Sequence, residues 1–296
     1  MKKNHIPVLK REVLKYLNPK PNENFIDCTV GLGGHTLAIL GKNKPKGRVL
    51  GIEIDQELYK KLKKKFLKFG KRLILINDSY SNLKKIIQIK KFQPVAGILF
   101  DLGLSSWHLE NSGRGFSFLK NEPLDMRYDK NEELTAEKIV NEWSEDAIER
   151  VLRKYGEERF AKRIAKEIVN KRKKELIKTT LQLVGIIEKA TPAWYHHRKI
   201  HFATKTFQAL RIVVNDELNN LKKALPQALD VLEERGRLVI ISFHSLEDRI
   251  SKNFFKESAK KNFLKILTKK PIRPRKQEII QNPRSRSAKL RAGIKI

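Results

Sequence analysis

The stretch Phe25-Ile26-Asp27-Cys28-Thr29-Val30-Gly31-Leu32-Gly33-Gly34-His35-Thr36 decides the fold. Its first half, 25–29, is a short apolar run of the kind that forms a buried strand. Its second half is a glycine turn that opens a helix-like segment at 34–40. Glycines in such a turn let the backbone bend tightly and approach a ligand where a β-carbon would collide. The same rhythm continues outward. Residues 48–54 read as a strand, 57–69 as a lysine-faced helix, 73–76 as a strand, 83–89 as a helix and 95–102 as a strand. This β-α alternation predicts a mostly parallel, doubly wound sheet with helices on both faces. The strands are continuous apolar runs, as strands buried on both faces should be.

After residue 106 the rhythm stops. Residues 104–123 are rich in Ser, Gly, Asn and Pro, and 135–190 are helical throughout, with Ser144 ahead of Glu145 and Asp146 as a helix start. Phe160, Ile164 and Ile168 stand four apart with cations between them, which makes an apolar stripe opposite a basic face. A loop containing Trp194, Tyr195, His196, His197 and His201 follows Pro192. One long helix is predicted from 206 to about 221 and another through 232, before a further buried strand at 236–243. The expected organisation is a sheet domain made of 1–106 and 206–296, interrupted by an all-helical insert at 107–205 that serves substrate recognition.

Composition narrows the partners. The 296 residues hold 64 Lys and Arg against 33 Asp and Glu, a net charge of +31, with 40% hydrophobic residues. That hydrophobic content is too high for a disordered polycation, so the chain folds while carrying a strong positive field. The charge is densest at 252–296, where fifteen Lys or Arg meet only Glu257 and Glu278. Interleaved Phe254, Phe255, Phe263, Leu264, Ile266 and Leu267 can dock this segment on a core. A folded domain so charged most often meets nucleic acid, where counterion release rewards many cations at once. The single cysteine, Cys28, excludes an intrachain disulfide and a multi-cysteine zinc site. No apolar run is long enough for a membrane span, and 1–7 lack the apolar core of a signal peptide, so a cytoplasmic protein without a membrane partner is expected.

The ligand is read from the strand ends. Glu53 follows Gly33 by twenty residues at the end of the second strand, where an acid accepts the ribose hydroxyls of a nucleoside. The glycine pair alone fits a plain strand-to-helix turn equally well; joined to the acid and the strand pattern it points to a nucleoside cofactor. Thr36 stands where the dinucleotide fingerprint wants glycine or alanine, which argues against NAD and for S-adenosylmethionine. Tyr80, after the third strand, is placed to lie on an adenine, with a rim aromatic as the plain alternative. Asp101 ends the fourth strand in the crevice where open α/β sheets bind ligands.

Eight ordered runs then resemble one family. They are Gly31-Leu32-Gly33-Gly34-His35, Asp101-Leu102-Gly103-Leu104-Ser105-Ser106, Arg114-Gly115-Phe116-Ser117-Phe118, Pro123-Leu124-Asp125-Met126-Arg127, Gly156-Glu157-Glu158-Arg159-Phe160-Ala161, Phe207-Gln208-Ala209-Leu210-Arg211-Ile212, Ile241-Ser242-Phe243-His244-Ser245-Leu246-Glu247-Asp248-Arg249 and Asn282-Pro283-Arg284-Ser285-Arg286-Ser287. They are similar to the signature runs of the bacterial small-subunit ribosomal RNA cytosine-N4 methyltransferases (RsmH/MraW), from His5 to about Arg291. The resemblance implies a class I S-adenosylmethionine methyltransferase, a Rossmann-like doubly wound sheet with a helical insert. Its target would be the exocyclic N4 of a cytidine in the decoding region of small-subunit (16S) rRNA, met as rRNA or as an assembled 30S subunit, and a homodimer is compatible with it. By motif the cofactor positions fall on Gly33, Gly34, His35, Glu53, Tyr80, Asp101 and His108. Glu53 stands for an Asp, Tyr80 for a Phe and His108 for a Gln of the commonest pattern, each keeping the needed chemical character.

Cytosine N4 is a poor nucleophile because its lone pair is delocalised into the ring. A site that holds the amine in line with the methyl group and accepts its N–H serves the transfer without metal or covalent nucleophile. The Asp/Asn-Pro-Pro-aromatic motif of many amino-methyltransferases is absent at 101–107. Asp101, with Ser105 or Ser106, is the predicted acceptor. Trp107, Phe116 and Phe118 are candidates to stack on an extruded base; the competing reading is that they pin the insert to the sheet. Arg114, Arg127 and Arg211, with Arg159, Arg163, Arg284 and Arg286, are candidates for phosphate or the base pocket. A hydrolase triad at His244-Ser245 lacks a nucleophile elbow, and His196, His197 and His201 lack a partner at metal-ligand spacing. Methylation of DNA or tRNA, and a non-enzymatic RNA-binding assembly factor, are the rival readings; the cofactor crevice counts against the latter.

Overall fold

The computed structural model describes residues 6–296. They divide into two compact units, 6–105 with 218–296, and 106–217. The first is a mixed α/β sheet unit. Its strands are β1 (Phe25–Asp27), β2 (Val49–Glu53), β3 (Leu73–Asn77), β4 (Gly97–Asp101), β5 (Arg237–Ser242), β6 (Leu264–Ile266) and β7 (Lys289–Lys295), in the order β3-β2-β1-β4-β5-β7-β6. Strands β1 to β5 run parallel, with Ile26 beside both Leu50 and Ile98, whereas β7 runs antiparallel to β5 and β6. The strand order reverses between β1 and β4, which opens a crevice at their C-terminal ends.

The apolar runs are continuous because both sheet faces are covered. Ile26, Leu50, Ile52, Ile98, Phe100, Leu238 and Ile240 belong to one core layer. Their neighbours Phe25, Val49, Leu99, Val239 and Ile241 belong to the other, as the two-residue period of a strand requires. The lysine-faced helix spans Gln56–Lys65 and is capped by the Asp55 carboxylate, which accepts the Glu57 and Leu58 N–H groups. It ends earlier than predicted, and a 3-10 turn at Leu67–Arg72 follows in which Gly70 leaves helical geometry. The basic C-terminal segment is folded: it supplies the helix Ser245–Lys260, β6, the helix Lys276–Gln281 and β7. Arg291 and Lys289 are held there by the two oxygens of Asp248, at 2.7 and 3.0 Å.

The second unit is helical. Its principal helices are Ala136–Glu142, Glu145–Gly156, Ala161–Arg172, Thr180–Ala190 and Thr204–Val214. Thr135, Ser144 and Thr179 cap three of them through side-chain oxygens, and Gln182 completes a capping box with Thr179. Ile139, Ile148, Leu152, Ile164, Ile168, Leu183, Ile187 and Leu210 form its buried core. A β-carbon on Gly156 would stand 2.7 Å from the Lys205 carbonyl oxygen, so this glycine permits close helix contact. The helix predicted to run to about 221 ends at Val214, where Asn215 and the left-handed Asp216 turn the chain before Glu217.

Candidate functional site

The glycine turn and Glu53 build the floor of the sheet unit's crevice. Gly31 and Gly33 adopt φ of +54° and +82°. A β-carbon on Gly33 would lie 2.4 Å from the Phe66 ring and one on Gly31 3.8 Å from the Ser105 side chain. The helix Gly34–Lys42 starts directly after this turn. Glu53 ends β2 and is buried; its carboxylate accepts the Gly31 and Asp55 N–H groups, both at 3.0 Å. Burial pushes Glu53 up to about 8 against these donors, and the Asp55 and Asp27 carboxylates add to the rise. Asn77 braces this corner from β3 by donating to the Glu53 and Ile54 carbonyl oxygens.

Beside it, the ends of β1 and β4 carry a set of polar groups. Asp27 is fully buried, accepting Thr36 Oγ1–H at 2.6 Å and the Thr29 N–H at 3.2 Å; burial raises it. The Thr29 hydroxyl accepts the Asp101 N–H at 2.7 Å and so ties the ends of β1 and β4 together. His35 Nε2 stands 3.5 Å from Asp101 Oδ2. Both ring nitrogens of the buried His35, and Asp101 Oδ1, lack a hydrogen-bond partner among the described residues. Unpartnered buried polar atoms are costly, so this pair fits a polar ligand that the protein alone does not supply. Tyr80 stands on the short turn Tyr80–Asn82 with its ring edge-on to Phe100 at 5.6 Å. Gly33, Gly34, His35, Glu53 and Asp101 thus gather at neighbouring strand ends. Thr29, Asp27 and Phe66 complete the crevice and were not singled out for it from sequence, although Asp27 and Thr29 lie inside the decisive stretch.

Arg284 and Arg286 stand on the 3-10 turn Pro283–Ser287 of the first unit; in the second unit Ser106, Trp107 and His108 share the short helix Ser106–Glu110. His108 is buried beside Phe116 and Tyr128, with ring centroids 5.1 and 4.9 Å away, while Phe116 stacks on Tyr128 at 5.3 Å. Phe118 is elsewhere, stacked on His201 at 4.6 Å and edge-on to Phe207. Three of the candidate arginines are engaged internally. Arg114 is buried and donates to the Arg127 and Tyr128 carbonyl oxygens. Arg127 grips both oxygens of Asp125, at 2.9 and 2.8 Å, and also donates to the Lys130 and Glu132 carbonyls. Burial would raise Asp125, but the Arg127 hydrogen bonds outweigh it and hold the carboxyl low. Arg211 forks onto Glu217 at 2.8 and 3.0 Å, and Tyr128 donates to the same carboxylate.

Comparison with known proteins covers the whole of this arrangement. Ribosomal RNA small subunit methyltransferase H of Sulfurihydrogenibium azorense is 47% identical over 292 residues, spanning 99% of both chains. The protein of the same name from Thermotoga neapolitana is also 47% identical, over 97% of this chain and 95% of its own. That from Thermosipho melanesiensis is 49% identical, over 99% and 98%. The MraW methylase family matches residues 2–296, so the glycine turn, the strand-end acids and the arginine-braced helical unit all fall within the match, and the chain belongs to that family.

Proposed function

We propose that this protein methylates the exocyclic N4 of a cytidine in the decoding region of small-subunit (16S) rRNA, using S-adenosylmethionine. The observation that carries this reading is the partnerless His35 and Asp101 pair at the ends of β1 and β4, set beside Glu53 and the glycine turn. The relatives' name supplies the class of RNA. Gly33 and Gly34 give the backbone approach, Glu53 takes the ribose hydroxyls, Tyr80 the adenine, and His35 completes the hold on the cofactor. The cofactor supplies an electrophilic methyl group. Asp101 accepts an N4–H, which localises the nitrogen lone pair and later removes the proton; Ser105 and Ser106 orient the amine. His35 faces Asp101 Oδ2 and aims its carboxylate. In the second unit, the mutually packed His108, Phe116 and Tyr128 rings support the segment that carries Trp107, the ring proposed to stack on a base. Arg114, Arg127 and Arg211 act by holding the loops of that cluster.

The substrate is the rRNA or the assembled subunit in the cytoplasm; among the described residues no helix is long and apolar enough to cross a membrane. The test is methyl transfer from labelled S-adenosylmethionine to small subunits, naked rRNA, tRNA and DNA, followed by digestion to nucleosides. N4-methylcytidine from small subunits or their rRNA is the expected product. Label only in tRNA or DNA, or none in either subunits or rRNA, overturns the assignment.

A further inference from the structure

Residues 158–163 and 194–198 of the second unit build a face with no part in the chemistry above. Trp194 is 52% exposed. The Arg159 guanidinium lies 5.0 Å from its ring centroid and 5.1 Å from that of Phe160, and Arg163 approaches Phe160 from 5.9 Å. Arg198 stands 5.6 Å from the Tyr195 ring. Phe160, Trp194 and Tyr195 meet edge to face within 6 Å of one another. Underneath, the buried Glu158 carboxylate accepts the Phe160 N–H at 2.9 Å and the Tyr195 hydroxyl at 2.8 Å. Burial and Glu158 push the Tyr195 hydroxyl up, so it stays a donor and the two segments stay joined. A buried carboxyl group with both oxygens occupied is a rigid mount.

The exposed cations on this mount differ from those inside the unit. Arg127 and Arg211 are locked on carboxylates. Among the described residues no carboxylate is in ion-pair contact with Arg159, Arg163 or Arg198. Between 159 and 174 there are eight Lys or Arg and one acid, Glu167. Arginine beside an open indole, without a neutralising acid, meets the needs of a chain that alternates flat bases and phosphates. We infer that this face binds an unpaired stretch of RNA, with a base on Trp194 and phosphates on Arg159, Arg163 and Arg198. The inference rests on the RNA reading above and adds a second contact, used for docking. Trp194 and Ile200 alone offer too little exposed apolar surface for a protein interface with a hydrophobic centre.

The test uses the full-length protein with a fluorescein-labelled single-stranded RNA oligonucleotide and the same sequence as duplex. Trp194→Ala weakens single-strand binding about tenfold and leaves duplex binding alone, because only an unpaired base offers a free face. Trp194→Phe restores most of the affinity, and thermal midpoints stay with the wild type. Arg159→Gln with Arg163→Gln lowers the salt slope of single-strand binding by roughly 1.4. Unchanged single-strand affinity in Trp194→Ala, an equal loss on duplex, or a change of oligomeric state on sedimentation overturns the inference. The outcomes separate the two proposals. Single-strand binding lost in Trp194→Ala, with no methylation of subunits or rRNA by wild type, sinks only the function. Unchanged binding and subunit methylation in Trp194→Ala sink only the docking face.

Discussion

Asp101 differs from an ordinary strand-end acid because one oxygen faces His35 and the other has no hydrogen-bond partner among the described residues. Asp101→Asn keeps the shape and removes the carboxylate proposed to draw the N4 proton. Its kcat should fall roughly 100-fold or more with little change in thermal midpoint, measured on small subunits. Glu53 gives a prediction in pH. Its folded value is raised from 4.5 to about 8, so the folded state holds a proton that the unfolded state releases. Its contribution is therefore complete below about pH 4.5 and is lost as pH rises towards 8, a few kcal/mol in all. The wild-type thermal midpoint should fall across that window relative to Glu53→Gln; parallel curves would refute the burial argument. Gly33→Ala meets a φ of +82° and the Phe66 ring together, so cofactor affinity should drop, and Phe66→Ala should recover only the steric part. Gly33, Glu53 and Asp101 were legible in the sequence because each sits at a strand end with a fixed offset from the turn. Phe66 over Gly33, and the Thr29 bridge to Asp101, depend on which strands neighbour one another, which no local pattern encodes.

The elements show where composition misleads. Arg114, Arg127 and Arg211 read in sequence as cations for RNA, yet Asp125 stands two residues before Arg127 and Glu217 six after Arg211, close enough to pair within the loop. Arg211→Lys cannot fork onto Glu217, and the half-buried pair should lose about 2 kcal/mol, read as a lower unfolding midpoint. A merely substrate-facing arginine would leave that midpoint unchanged. Strand β7 was hidden for a related reason. Lys289, Arg291 and Lys295 alternate with Leu290, Ala292 and Ile294, a strand pattern set inside a strongly basic segment. Gly293 sits within it against Phe255 and Leu264, where a β-carbon would come within 2.9 Å. Parallel strands β1 to β5 were legible since each is a continuous apolar run; β7 is half polar and pairs with β5 at Ser242 and Lys289, 47 positions apart in the chain. Position in a sheet of this kind is settled by long-range pairing.

At the scale of the whole molecule the +31 charge is unevenly divided. The helical unit, 106–217, carries 22 Lys or Arg against 18 Asp or Glu, and the rest of the chain 42 against 15. The sheet unit therefore holds nearly all the excess, whereas the stacking face on the helical unit is a local feature. Docking through phosphate contacts and recognition through stacking are then separable by salt. Each phosphate contact contributes roughly 0.7 to 0.9 to the slope of log K against log salt. The exposed run of Lys269, Lys270, Arg273, Arg275 and Lys276 places five cations within eight residues of the sheet unit's basic C-terminal segment. Replacing all five by Gln should reduce the slope for small-subunit binding by about four if each meets a phosphate. KM for subunits should rise in parallel while kcat at saturation stays near wild type, since none of the five touches the crevice at β1, β2 and β4. A wild-type slope near zero would mean that the lysines reflect composition alone. A steep slope unmoved by the five substitutions would place the contacts elsewhere on the sheet unit.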